Sequence, residues 1–317
     1  METMNWKNSH RIAALALLAC AACAHDKIDT TKPPTEKDKS NVAVTYEKAI
    51  GEKKDQNYLE ATAVFEFIKN NYPYSQYAAL SELALADMAY ERDEHIASAA
   101  AYQDFVKAHP SHPKADYAAF QVGMSYYQEK PSDLFFLPPS YEKDQTPIRQ
   151  ALEAWNRMVV AYPKSEYVER ARDLINDCRE RLMRHDQFVA DFYTRHEAWR
   201  GAAGRWLAIA DTYGDLREGK VRGESLWNAA EDYARVKDLG DERATLQRLV
   251  QESPGDPHRA RAEARIAQIP ADAPKTTAAS DKQQAQAATA PAAPPPNPAS
   301  PTQQPQQETP SVAPPGK

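Results

Sequence analysis

Apolar residues along this chain recur at helical spacing in run after run, and most runs end in the same kind of turn. Tyr72-Pro73-Tyr74-Ser75-Gln76-Tyr77 is the first such turn. His109-Pro110-Ser111-His112-Pro113, Tyr162-Pro163-Lys164-Ser165-Glu166-Tyr167, Tyr213-Gly214-Asp215 and Ser253-Pro254-Gly255-Asp256 follow it. With the five aligned on the proline, and Gly214 standing in for it in the fourth, the position eight residues upstream reads Phe65, Tyr102, Trp155, Trp206, Leu246. Five residues upstream stand Ile68, Phe105, Met158, Ile209, Leu249. Positions three apart share one helical face, so each turn closes an amphipathic helix. Twelve upstream stand Ala61, Ser98, Ala151, Ala202 and then Glu242. Small residues there suit close approach of packed helices, and the fifth copy breaks the rule as a terminal repeat does.

Two of the intervals between these turns lie near the roughly 34-residue period of tetratricopeptide repeats. The longer two have visible causes: a proline-rich insertion near residues 131 to 147, and an unbroken helical pattern from about Ser165 to His196. Proline lacks an N–H and restricts the residue before it, so each Pro stops a helix B and starts the next helix A. The pattern predicts an all-α tetratricopeptide-repeat solenoid of about five helical hairpins over residues 42–269. Residues 42 to 54 make the first helix, with Val44, Ala49 and Ile50 apolar. Asn57 caps the second, where Leu59, Ala61, Val64, Phe65 and Ile68 form a stripe. Ala79, Leu80, Leu83, Ala84 and Ala86 face inward on the third, and Thr146 with Pro147 opens the helix after the insertion.

The N-terminus sets the compartment. Lys7 and Arg11 precede the apolar run Ile12 to Ala19, which ends in Cys20-Ala21-Ala22-Cys23. The run is too short to span a bilayer and reads as an export signal over residues 1–19. It is similar to the bacterial lipoprotein signal, in which the cysteine after a Leu-x-small triplet is lipidated. Leu17-Leu18-Ala19 favours Cys20, and Cys23 is the alternative. Residues 20–41, mostly charged, Thr and Pro, read as a flexible tether. Residues 270–317, dominated by Ala, Pro and Gln around Pro294-Pro295-Pro296, read as a disordered tail.

Composition narrows the function classes. With 39 Lys and Arg against 45 Asp and Glu, the net charge of −6 lacks the basic face that phosphate binding needs, which argues against nucleic acid. Cys178 is the one thiol of the helical body and reads as a small buried hydrophobe. Catalysis finds little support. There is no phosphate-binding glycine loop, and His196-Glu197 has no second His at zinc-protease spacing. His109 and His112 share a proline-rich turn with only Asp116 near, and Glu231-Asp232 point to different faces as solvated charge. No metal or cofactor is expected. Within the insertion, Leu134, Phe135, Phe136 and Leu137 are consecutive apolar residues in a loop that three prolines keep from being a regular helix. They either fold onto a concave face as a ligand-contacting plug or fill a gap between repeats.

Phe67 through Ala78, His112 through Ala118, Asp144-Gln145-Thr146-Pro147 through Ala151, and Tyr162 through Tyr167 resemble the BamD family, the tetratricopeptide lipoproteins of the outer-membrane β-barrel assembly machinery. Arg179, Leu182, His185 and Val189-Ala190-Asp191-Phe192-Tyr193 match the family's long fourth helix A, with Asp186 where members carry Glu. The resemblance spans residues 40 to 250 and not the tail. It implies a periplasm-facing lipoprotein that receives unfolded outer-membrane proteins and works with a BamA-type insertase and accessory Bam lipoproteins. By the family pattern Arg205 faces BamA; the alternative is a solvated helix residue. Tyr58, Tyr77, Tyr90, Tyr117 and Tyr126 are candidates for a substrate groove, with interhelix packing as the alternative for each. Tyr213-Gly214-Asp215 departs from Tyr-Pro, which predicts a remodelled fourth turn. A second function class also stands: a repeat lipoprotein acting as a structural adaptor or secretin pilotin, with the tail as its working part.

Overall fold

The computed structural model describes residues 41–133, 136 and 138–274. The signal segment, Cys20, Cys23, the tether up to residue 40, Leu134, Phe135, Leu137 and the tail from residue 275 lie outside the described residues. Two compact units divide at Pro110 and Ser111. The first holds α1 (Val42–Lys54), α2 (Tyr58–Asn71), α3 (Gln76–Glu91) and α4 (His95–Ala108). The second holds α5 (Ala115–Gln128), α6 (Thr146–Ala161), α7 (Val168–Arg195), α8 (Trp199–Tyr213), α9 (Lys220–Arg235), α10 (Leu239–Glu252) and α11 (Arg259–Ile266). Short 3-10 turns at Ser140–Glu142 and Leu216–Gly219 complete it, and no strand occurs among the described residues. Within each unit, helices consecutive in the chain pack on one another, and α1 also meets α3, the next helix A.

The repeated turn has a physical basis in its first and fourth residues. Tyr72, His109, Tyr162 and Ser253 share one backbone conformation (φ −128°, −129°, −126° and −132°; ψ 50°, 54°, 60° and 63°), outside the helical region that a following proline disfavours. Each donates its N–H to the carbonyl of the apolar residue four before it, Ile68, Phe105, Met158 or Leu249. Three residues on, a side chain starts the next helix. Ser75 Oγ accepts from Tyr77 N at 3.2 Å, His112 Nδ1 from Lys114 N at 3.1 Å, Ser165 Oγ from Tyr167 N at 3.2 Å and Asp256 Oδ1 from His258 N at 2.8 Å. Proline stops one helix and a capping acceptor begins the next.

The turns inside the hairpins obey a second rule. Gln56, Asp93, Glu197 and Lys237 all sit in the left-handed region, at φ 63°, 59°, 58° and 58°. Each donates its N–H two residues past the helix, while the next residue's N–H reaches back to Glu52, Ala89, Tyr193 or Tyr233 at 2.9, 2.9, 3.0 and 3.0 Å. This is the Schellman closure, here made without glycine. The insertion between α5 and α6 replaces it in the third hairpin.

The aligned apolar positions form the core. Phe65, Tyr102, Trp155, Trp206 and Leu246 are buried, as are Ile68, Phe105, Met158, Ile209 and Leu249. Each such side chain removed from water stabilises the fold by about 1.5–3 kcal/mol. Trp155 donates its Nε1 to Phe120 O at 3.1 Å and lies so close to Gly123 that a Cβ there would fall 2.3 Å from Nε1. Ala61, Ser98, Ala151 and Ala202 are buried too.

Several expectations are corrected. Glu242 breaks the small-residue rule yet is only 2% exposed, because Arg265 of α11 reaches in to pair with it and with Glu231. Asp232 is buried between Thr194 and Arg235, so Glu231-Asp232 is not solvated charge. Leu59 (89% exposed) and Val44 point outward, since their helices bury a narrower stripe than the residue types suggested. Asn57 does occupy the cap position of α2, but its side chain bonds Glu52 and not the helix N-terminus. At α6, Thr146 already lies inside the helix, and Asp144 Oδ1 accepts from both its N–H and its hydroxyl. Those two bonds hold the Asp144 carboxyl below its usual range. Cys178 is fully buried, and burial pushes its thiol up to about 12.

Candidate partner-binding surface

The long helix α7 and its partner α8 carry the family-aligned residues. Arg205 of α8 lies half-buried with its guanidinium 5.6 Å from the centroid of the Tyr193 ring on α7. A cation over a ring face is favoured electrostatically and holds the guanidinium in one plane. Tyr193 comes this close because Gly201 faces it; a Cβ at residue 201 would lie 2.7 Å from Tyr193 Cδ1. One turn away, Arg235 covers Trp199 at 4.6 Å and Arg200 Nη2 bonds the buried Asp238 at 3.1 Å.

Farther along, Tyr213 donates its hydroxyl to Asp186 Oδ2 at 2.9 Å and so ties the end of α8 to α7. Burial and that carboxylate push the Tyr213 phenol well up. The turn after it is remodelled, as Gly214 predicts. A Cβ at residue 214 would meet Ala210 O at 2.2 Å. Instead of stopping at proline the chain runs through αR geometry at Gly214, and Arg217, Glu218 and Gly219 then all take positive φ. Two forks pin this turn to α7: Arg179 grips Asp215, and Arg217 bonds Glu180 with Nη2 at 2.9 Å.

The insertion is closed at its base. Ser140 N donates to Asp133 Oδ1 at 2.8 Å, and Lys143 Nζ to Ser132 O at 2.8 Å. The buried Gln145 side chain donates to Ser140 O and Lys143 O at 2.7 and 2.8 Å. His185 Nδ1 meets Tyr141 O at 2.7 Å, and the Tyr141 ring lies 5.6 Å from Phe188, so the loop base packs on α7. Phe136 is 67% exposed at the tip.

The groove tyrosines fall in both units. In the first, Tyr58 and Tyr77 pack beside the buried cluster of Ala61, Phe65 and Ile68, and Tyr77 lies 5.4 Å from Tyr46. Tyr90 faces His95 at 5.3 Å. In the second, Tyr117 lies 6.0 Å from Tyr167 and accepts from Gln121 Nε2 at 2.9 Å, and Tyr126 is half-buried on α5. Within the first unit the fold brings Tyr58 and Tyr77 to one cluster, whereas Tyr90 sits at the far end of α3. The residue types alone left unmarked an aromatic row along α7, Phe188, Phe192 and His196, although its spacing of four was visible. The Phe192 and His196 rings meet at a tilt, their centroids 4.0 Å apart. Among the described residues no three His, Cys, Asp or Glu side chains are placed to share a metal ion, and no helix is long and apolar enough to cross a membrane.

The sequence profile of YfiO, described as an outer membrane lipoprotein, matches residues 38–249. The chain belongs to this family, the BamD lipoproteins. A relative from Vibrio cholerae serotype O1, named outer membrane protein assembly factor BamD, is 25% identical over 254 residues, covering 79% of this chain and 100% of its own length. The protein of the same name from Neisseria gonorrhoeae is 30% identical over 207 residues, 63% of this chain and 75% of the relative. That of Haemophilus influenzae is 23% identical over 228 residues, 71% and 85%. The BamD match ends within α10, so α11 and everything after it lie beyond the profile.

Proposed function

We propose that this chain is an outer-membrane lipoprotein of the β-barrel assembly machinery, anchored by lipid on Cys20 (or Cys23) and facing the periplasm. It holds unfolded outer-membrane proteins and delivers them to a BamA-type insertase, with accessory Bam lipoproteins as further partners. The observation that carries this reading is the continuous BamD match over residues 38–249, which coincides with the hairpins from α1 into α10. Relatives named as assembly factors favour a scaffold over an enzyme.

Arg205 is assigned to the BamA-facing surface, since its ring contact pre-orients a cation for a partner carboxylate. Tyr58, Tyr77, Tyr90, Tyr117 and Tyr126 are assigned to substrate contacts, with half-buried rings that leave an edge for extended peptide. Leu134 to Leu137 make the loop contact, Phe136 being exposed on a base held against α7.

Recovery of the mature chain from solubilised outer membranes tests the reading. A BamA-type barrel should accompany it; a secretin or Tol-Pal component with no such barrel would replace this reading with the adaptor. Arg205→Glu should weaken association with the insertase at least tenfold, about 1.4 kcal/mol. Unchanged association removes Arg205 from the interface. Labelled fatty acid should be lost from Cys20→Ser and retained by Cys23→Ser, the reverse result moving the anchor to Cys23.

A further inference from the structure

Four rings lie in a row on the second unit, Tyr141 and Phe188 half-buried and Phe192 and His196 exposed. Tyr141 lies 5.6 Å from Phe188, Phe188 and Phe192 are one helical turn apart on α7, and the Phe192 and His196 rings meet at a tilt, their centroids 4.0 Å apart. Arg195 stands 6.0 Å from the Phe188 ring. Phe192 is 41% exposed and His196 is exposed. At 1.5 Å rise per residue, the rings from Phe188 to His196 span about 12 Å, and Tyr141 adds one more ring.

The chain itself carries a matching ligand. Beyond the BamD match, Pro295, Pro298 and Pro301 recur every third residue. Proline fixes φ near the polyproline II value, and that helix has three residues per turn at about 3.1 Å rise. On such a helix, side chains at this spacing share one ridge, which over seven residues is about 19 Å long, close to the length of the ring row. From residue 275 the tail offers hardly any other apolar side chain, Val312 alone being aliphatic and larger than Ala or Pro. The twenty residues from 275 to 294 reach about 60 Å when extended, roughly twice the diameter of a small domain.

We propose that the Pro295–Pro301 ridge docks on Tyr141, Phe188, Phe192 and His196. Proline-rich segments bind aromatic rows with little ordering entropy, and a tether supplies an effective concentration of about millimolar. Phe192 lies 6.2 Å from Tyr193, the ring beneath Arg205. The docked tail therefore shields the Arg205 face, a consequence that rests on the function proposed above; the docking itself does not.

The test uses the full mature chain and its Pro295→Ala/Pro298→Ala/Pro301→Ala variant, read by the NMR resonances of Phe188, Phe192 and His196. These resonances should differ between the two proteins, and a synthetic peptide of residues 291–303 should return the variant's signals towards the wild-type positions. Phe192→Ala, a half-exposed position, should abolish the peptide response without loss of helicity. Identical strip resonances in wild type and triple variant overturn the proposal. A peptide response alongside identical resonances also overturns it, because the row would then serve proline-rich segments of other proteins. Because no insertase is in the tube, this readout stands or falls apart from the assembly role. With the insertase added, the triple variant should bind at least about twofold tighter, since a half-occupied row halves the competent fraction.

Discussion

Arg179 on α7 grips Asp215 in the fourth turn with both terminal nitrogens, Nη1 lying 2.7 Å from Oδ2, while Nη2 also reaches Thr212 O at 3.0 Å. The fork ties α7 to a turn where Gly214 replaces the proline of the other repeats. The guanidinium's hydrogen bonds hold the Asp215 carboxyl below its usual range. A depressed carboxylate contributes stability above its unfolded pKa, about 3.9, and loses it as pH falls through the lower folded value. Asp215→Asn should therefore cost about 0.2–1 kcal/mol at neutral pH, the range for exposed pairs, and the gap should close in acid. Chemical unfolding of both proteins between pH 7 and pH 2 checks this; a gap that stays constant assigns the turn's stability to packing.

Gly123 and Gly51 make opposite forecasts for one substitution. A methyl at 123 lands on the buried Trp155 indole at 2.3 Å, whereas nothing lies within 4 Å of one at 51. Alanine in a helix gains about 1 kcal/mol over glycine. Gly51→Ala should gain most of that. Gly123→Ala should lose about 1–3 kcal/mol net through overpacking, with weakened Trp155 fluorescence burial as the local sign. Equal midpoint shifts for the two variants would contradict the close approach of α5 and α6.

The apolar triplets and proline turns were legible because both encode local physics: one helical face, and one residue type that stops a helix. The inner turns were not, because Gln56, Asp93, Glu197 and Lys237 hold a conformation usually signalled by glycine. Asp232 read as solvated charge because Thr194, its partner across the fold, lies on another helix and leaves no trace in local spacing, and the Arg265 that covers Glu242 was hidden for the same reason. For the candidate site, Arg205 was placed by family pattern, but its Tyr193 contact depends on Gly201, a pairing that periodicity does not reveal.

Those inner turns yield a third prediction. Left-handed geometry costs a side-chain-bearing residue about 1–2 kcal/mol, partly offset because glycine loses more entropy on folding, about 0.5–1 kcal/mol. Glu197→Gly should leave stability unchanged or raise it by up to about 1 kcal/mol. Glu197→Val, branched at Cβ, should lower it by about 1–2 kcal/mol. Thermal midpoints of the two variants decide; a valine as stable as glycine would mean that the α7–α8 turn relaxes out of the Schellman geometry.

Asp232 supplies the last prediction, with the opposite sign to Asp215. Its carboxylate is buried and accepts from Thr194 Oγ1 at 3.1 Å and Arg235 Nη1 at 2.7 Å. Desolvation outweighs both bonds and raises its pKa. A folded state that holds its proton more tightly than the unfolded chain loses stability as pH rises from about 4, the unfolded value, through the raised one. Asp232→Asn removes that titration while keeping the side chain's shape and one acceptor oxygen. Wild type should thus be most favoured over the variant near pH 4, and its advantage should shrink towards pH 7. An advantage that grows over that interval would mean that Arg235 stabilises the charged form more than burial penalises it.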